Sequence, residues 1–142
     1  MQIVSGHKPL RYLPALLLVA TLSGCFGSTP AALTPLSSPN GSLALTPSVN
    51  HSQNDPTKYL CVAFAITDST GTRVHYVQSG ASDTSKWAIG WYDEATVVLY
   101  SSDIGTYAWK LNEDQTISEI PHPLPTELKA CGDRLKAAKY DR

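Results

Sequence analysis

Long apolar runs, charge runs of either sign and cysteine-dense spacing are all missing from this chain of 142 residues. Eleven Lys and Arg stand against twelve Asp and Glu, for a formal net charge of -1. That balance lacks the electrostatic footprint of nucleic-acid binders and of polybasic membrane binders. Three cysteines are too few for a disulfide-dense scaffold. Catalytic signatures are missing as well: there is no G-x-S-x-G, no H-E-x-x-H and no phosphate-binding loop. What the chain does have is seven Tyr and three Trp, too many for a disordered polymer. The length suits one small domain with flanking segments and is too short for two.

The amino terminus reads as an address. His7, Lys8 and Arg11 precede the apolar stretch Leu13 to Leu22, with no acid among them, which is the build of a signal peptide. Its apolar core is about half the roughly twenty residues that a spanning helix takes. Directly after it come Leu22-Ser23-Gly24-Cys25, an aliphatic residue, two small ones and a cysteine. This resembles the lipobox of bacterial lipoproteins. The resemblance implies cleavage before Cys25, a diacylglyceryl thioether on its sulfur and an acylated amino group. Each buried CH₂ of such chains contributes about 0.8 kcal/mol to membrane attachment. In that class an Asp after the cysteine favours retention at the inner membrane. Phe26 stands there instead, which points to an outer-membrane anchor facing the periplasm.

Residues 1–24 are thus expected to be leader, and residues 25–56 a lipidated cysteine with a flexible tether. From Phe26 to Pro56, nineteen of thirty-one residues are Ser, Thr, Pro, Asn or Gly, and Asp55 is the only charge. That composition argues against a packed core. Ala-Leu-Thr-Pro occurs twice, at Ala32 to Pro35 and Ala44 to Pro47, too few copies for an array. Asn40-Gly41-Ser42 matches a glycosylation sequon that a bacterial lipoprotein has no general use for.

Residues 57–142 are expected to form the domain. With Cys25 lipidated, Cys61 and Cys131 are the remaining thiols, in a compartment where disulfides persist. Pairing them would close a loop worth about 4 kcal/mol on the chain-entropy model. Two buried free thiols are the alternative. No metal site is expected, because no C-x-x-C is present and His51, His75 and His122 lack ligand spacing.

Alternation and turn residues divide this part into strands: Tyr59 to Thr67, Thr72 to Gln78, Lys86 to Tyr92, Thr96 to Tyr100, Thr106 to Leu111 and Gln115 to Ile120. Asp55-Pro56 is also a good helix start, so the first of these reads as strand or helix. Beyond Pro125, Leu128, Cys131, Leu135 and Ala138 fall on one helical face. The expected fold is mainly β within an α+β class. It is a small antiparallel meander or open barrel of five to six strands with a C-terminal helix packed on it.

Two features stand out as binding candidates. Trp87 and Trp91 share a strand face, and Tyr107 with Trp109 share another. They make either an aromatic platform for a sugar ring or partner protein, or the core of a small sheet. The segment Ser101-Ser102-Asp103-Ile104-Gly105-Thr106-Tyr107 lies between two strong strands and reads as a shaped loop or an ordinary turn. With Tyr59-Leu60-Cys61, it is similar to small lipoprotein inhibitors of c-type lysozyme, whose loop enters the enzyme's cleft. This chain departs from them: its spacing is Ser-x-x-Gly-x-Tyr, no basic residue precedes Tyr107, and a helix follows.

The functional expectation is a non-enzymatic, lipid-anchored periplasmic module. It is held to the membrane through Cys25, binds an envelope protein or peptidoglycan, and uses no cofactor, metal or nucleic acid. The alternatives are an inhibitor or immunity-type lipoprotein that blocks a hydrolase such as lysozyme, and a purely structural envelope protein.

Overall fold

The computed structural model describes residues 33–50 and 61–141. The leader, Cys25, Tyr59 and Leu60 lie outside these. The strands are β1 (Leu36–Ser37), β2 (Leu43–Asn50), β3 (Cys61–Asp68), β4 (Arg73–Ser82), β5 (Trp87–Trp91), β6 (Thr96–Ser101), β7 (Gly105–Leu111) and β8 (Ile117–Glu119), followed by helix α1 (Thr126–Tyr140). They form two four-stranded antiparallel meanders, β1-β2-β3-β4 and β5-β6-β7-β8. The protein is mainly β with a C-terminal helix, as the alternation and the change of period predict. The eight strands sit in two sheets, where the sequence reading counted five or six in one.

Period two explains how the sheets meet. Val62, Phe64 and Ile66 of β3 alternate inward and are fully buried, with Leu45 of β2 opposite Ile66. They pack against Ile89, Val97, Leu99 and Trp109 of the second sheet. The Phe64 and Trp109 rings meet edge-on at 5.2 Å, the geometry that ring quadrupoles favour. Strand β6 is covered on both faces, because Val98 points away from this core and into a second cluster with Ala108, Leu124, Leu128 and Cys131. Helix α1 therefore lies on the outer face of the second sheet, which makes a sheet, sheet, helix stack.

Two expectations are corrected. The tether was expected to run to residue 56, yet Leu43–Asn50 pairs with β3 along its whole length, from Leu43 opposite Asp68 to Asn50 opposite Cys61. Leu45 and Pro47 alternate with Thr46 and Ser48, so a polar composition conceals a half-buried strand. Pro47 is tolerated because β1 pairs with β2 only at Leu45 and Ala44, so no β1 partner stands opposite the position with the missing N–H. Asn40-Gly41 is the β1–β2 turn. Its Asn40 Oδ1 accepts from Ser42 N–H at 2.9 Å, and Gly41 has φ +73°.

The second correction concerns the disulfide. Cys61 and Cys131 are both free thiols. Cys61 opens β3 in the first sheet, whereas Cys131 faces Val98 and Ala108 from the helix side of the second sheet. Pairing the two cysteines needs the helix beside Cys61, but it packs on β5, β6 and β7. A sheet stands between positions whose Cα atoms a disulfide needs within about 7 Å.

Candidate functional site

The aromatic rows divide between core and rim. Trp109 is 5% exposed and belongs to the intersheet core. Tyr107 is half-buried, with its ring 6.3 Å from Trp109 and 4.6 Å, edge-on, from His122. Trp87 and Trp91 are also half-buried and pack against the same core. Trp91 Nε1–H donates to the Leu36 carbonyl at 2.9 Å, which clips the edge of the first sheet to the edge of the second. The four rings thus form no continuous exposed platform: Trp109 is buried, and Trp87, Trp91 and Tyr107 are each half-buried against the same core.

The segment 101–107 is a pinned turn. Ser101 is buried, and its hydroxyl donates to Asp103 Oδ1. Asp103 Oδ2 accepts from Ser82 N–H at 2.9 Å, which ties the turn to the end of β4. Ser102 closes the other side: its N–H donates to Lys86 O at 2.9 Å, and its Oγ accepts from Lys86 N–H at 3.1 Å. The Ser101 hydroxyl and the backbone N–H groups hold the Asp103 carboxyl below its ordinary range, against a smaller opposing effect of burial. Ser102, Asp103 and Gly105 reach the surface, while Tyr107 turns back onto its own sheet.

One sequence-nominated ring, Trp87, borders an open groove of about 290 Å³ between the sheet edges and α1. Its walls include Leu36, Pro47, Leu135, Ala138 and Lys139. As an edge residue of its sheet, Trp87 has backbone groups that β6 does not satisfy, and α1 supplies the partners. Trp87 N–H donates to the Tyr140 hydroxyl at 2.9 Å, and that hydroxyl donates to Trp87 O at 2.8 Å. Lys139 Nζ donates to the same carbonyl at 2.7 Å and stands 3.9 Å from the centre of the Trp87 ring. A cation fixed over an indole at this distance is an electrostatic attraction of about 0.5–1 kcal/mol at an exposed site. The result is an apolar trough with a positioned ammonium at one end. It suits an extended apolar segment that ends in, or passes, an acceptor group.

Sequence reasoning placed Trp87 but missed the rest of this groove. Leu36 and Pro47 fall in the stretch expected to be tether, and nothing local in the sequence marks Lys139 as part of a site. Among the described residues no three His, Cys, Asp or Glu side chains cluster as a metal site, and no helix is long and apolar enough to cross a membrane. No family model, curated protein or solved structure matches this chain.

Proposed function

We propose that this chain is a bacterial lipoprotein, anchored through Cys25 to the outer membrane and facing the periplasm. Its globular part is a non-enzymatic binding module for an envelope protein or peptidoglycan, with the Trp87–Lys139 groove as the recognition surface. The observation that carries this reading is the place of Leu33, which lines the groove only eight residues beyond Cys25. Eight residues span at most about 29 Å even when fully extended. An anchor at Cys25 therefore keeps the groove near the membrane surface, within reach of partners that are themselves anchored or lie against the bilayer. The strand β2, by folding into the sheet, replaces the long free tether that composition suggested.

A photo-crosslinking amino acid in place of Ala138 tests this in living bacteria, beside one at Glu113 in the exposed β7–β8 turn. A discrete adduct from position 138 is expected, absent from position 113 and lost with Cys25→Ser. Equal labelling from both positions, or an adduct indifferent to Cys25, would contradict the groove or the anchor respectively. The pinned Ser102–Gly105 turn favours one second reading, an inhibitor that presents a rigid loop to a hydrolase. Under that reading Ser102→Arg abolishes inhibition of a c-type lysozyme, whereas the groove reading predicts no such inhibition to lose.

A further inference from the structure

Strand β5 is an edge of its sheet, and its pairing with β6 fixes which of its backbone groups that neighbour leaves unpaired. Tyr92 N–H donates to Thr96 O at 2.8 Å, and Ser102 N–H donates to Lys86 O at 2.9 Å. Between these bonds Ala88 stands opposite Tyr100 and Gly90 opposite Val98. The backbone groups of Lys86, Ala88, Gly90 and Tyr92 therefore point at β6, and those of Trp87, Ile89 and Trp91 point away from it. At Trp87 the Tyr140 hydroxyl and Lys139 Nζ serve the outward N–H and C=O. At Ile89 both groups lack a partner among the described residues. Ile89 lines the Trp87–Lys139 groove, with Leu36 and Pro47 from the first sheet and Leu135 and Ala138 from α1. Leu33 and Leu36, which also line it, are 38% and 37% exposed, so apolar surface there is left uncovered. An unpaired strand edge is a template for another strand, and folds blunt it where none is to be added. Here α1 blunts the edge at Trp87 and leaves Ile89 open.

We infer that the groove takes an extended peptide segment of a partner protein, which adds a strand to β5 by pairing its backbone with Ile89. The inference rests on the reading of this groove as the recognition surface and names what that surface recognises. Backbone chemistry selects the occupant, since a peptide offers an N–H and a C=O at strand spacing and a glycan chain does not. Side chains of the added strand alternate, one towards Leu36 and Pro47 and the next towards Leu135 and Ala138. The segment is therefore apolar at successive positions, as in a strand covered on both faces. An ammonium has three N–H groups. Lys139 Nζ gives one to Trp87 O, and the others suit a carboxylate of the segment where it passes the end of α1.

The test adds the peptide acetyl-Thr-Val-Leu-Val-Asp to the full chain and follows amide hydrogen exchange along β5 by NMR. Two further forms carry N-methyl groups, one on the leucine nitrogen and the other on both valine nitrogens. The parent peptide is expected to slow exchange at Ile89 and leave Ala88 and Gly90 unchanged. Only one alternate set of peptide N–H groups faces β5, so one methylated form should bind about tenfold more weakly and the other like the parent. Lys139→Gln should weaken the parent but not its asparagine-ended analogue, and Ala138→Trp, which fills the groove from an exposed position, should abolish binding. Equal binding of both methylated forms, or no saturable change at Ile89 at millimolar peptide, would overturn the inference. So would an Ile89 amide already protected in the free chain, by a second copy where dilution releases it and by the chain itself where dilution does not. With an adduct from position 138 in bacteria, any of these results removes the added strand alone; without that adduct the groove reading falls as well.

Discussion

Gly132 of α1 lies so close to Thr106 of β7 that a Cβ built on it would stand 2.7 Å from Thr106 Cγ2 and 2.8 Å from Thr106 Oγ1. Read from the sequence, this glycine only weakens a helix. In the fold it sets how near the helix approaches the sheet, and Gly132 is buried there. The alanine that would improve helix propensity by about 1 kcal/mol must push against the branched side chain of Thr106. Overpacking of this kind costs about 1–3 kcal/mol.

Gly132→Ala should therefore destabilise the protein in urea denaturation, and Thr106→Ala should be mild. The double variant should recover most of the loss, since the two residues are in contact and their effects do not add. Additive losses would place the helix elsewhere.

Trp109 and Trp87 should separate cleanly. Trp109→Ala removes a ring from the intersheet core and should cost about 3–5 kcal/mol, a large share of the stability of so small a domain. Trp87→Ala, at a half-buried rim position, should cost less and act chiefly on partner capture. Acrylamide quenching of single-tryptophan variants checks this: Trp109 emission should be the best protected of the three.

The thiols should behave as independent groups. Burial pushes the Cys131 thiol up, with Arg134 opposing through its charge and a hydrogen bond, so it should react slowly with thiol reagents in the native state. Reductant should leave the thermal midpoint unchanged. A brace worth about 4 kcal/mol would instead make reductant lower the midpoint by well over ten degrees, at about 4–8 °C per kcal/mol.

Acid stability should carry the signature of the pinned turn. The Asp103 carboxyl is lowered in the folded state, chiefly by the Ser101 hydroxyl. A lowered carboxyl contributes stability that is complete above its unfolded value, near about 3.9, and is lost as pH falls from there through the folded value. Asp103→Asn should flatten the stability profile below about pH 4 while leaving the slope near neutrality unchanged. Chemical denaturation across that window measures it.

The β-rich class, the hairpins and the C-terminal helix were legible because alternation and turn residues carry them locally. Asp68, Asp93 and Asp114 sit in turns and accept backbone N–H groups there, as their sequence context predicts. Strand β2 was not legible by composition, because Ala44, Thr46 and Ser48 fill outward positions and Pro47 takes an inward one. Its alternation of Leu43, Leu45, Pro47 and Val49 was nonetheless present, as was the Asn40-Gly41 hairpin signal. The pairing of Cys61 with Cys131 failed for a different reason. A helical face and a strand face can each point inward, yet nothing local says against which sheet the helix is laid. The groove was hidden for the same reason, since Leu36, Trp87 and Lys139 meet only through the stacking of layers.

The anchor is tested most directly by the mass of the N-terminal peptide of the full chain, produced in a bacterium and extracted from its membranes. The expected peptide begins at Cys25 and carries a diacylglyceryl group on sulfur and an acyl group on the amino nitrogen. A peptide that retains the leader, or one cut elsewhere with Cys25 unmodified, would contradict it.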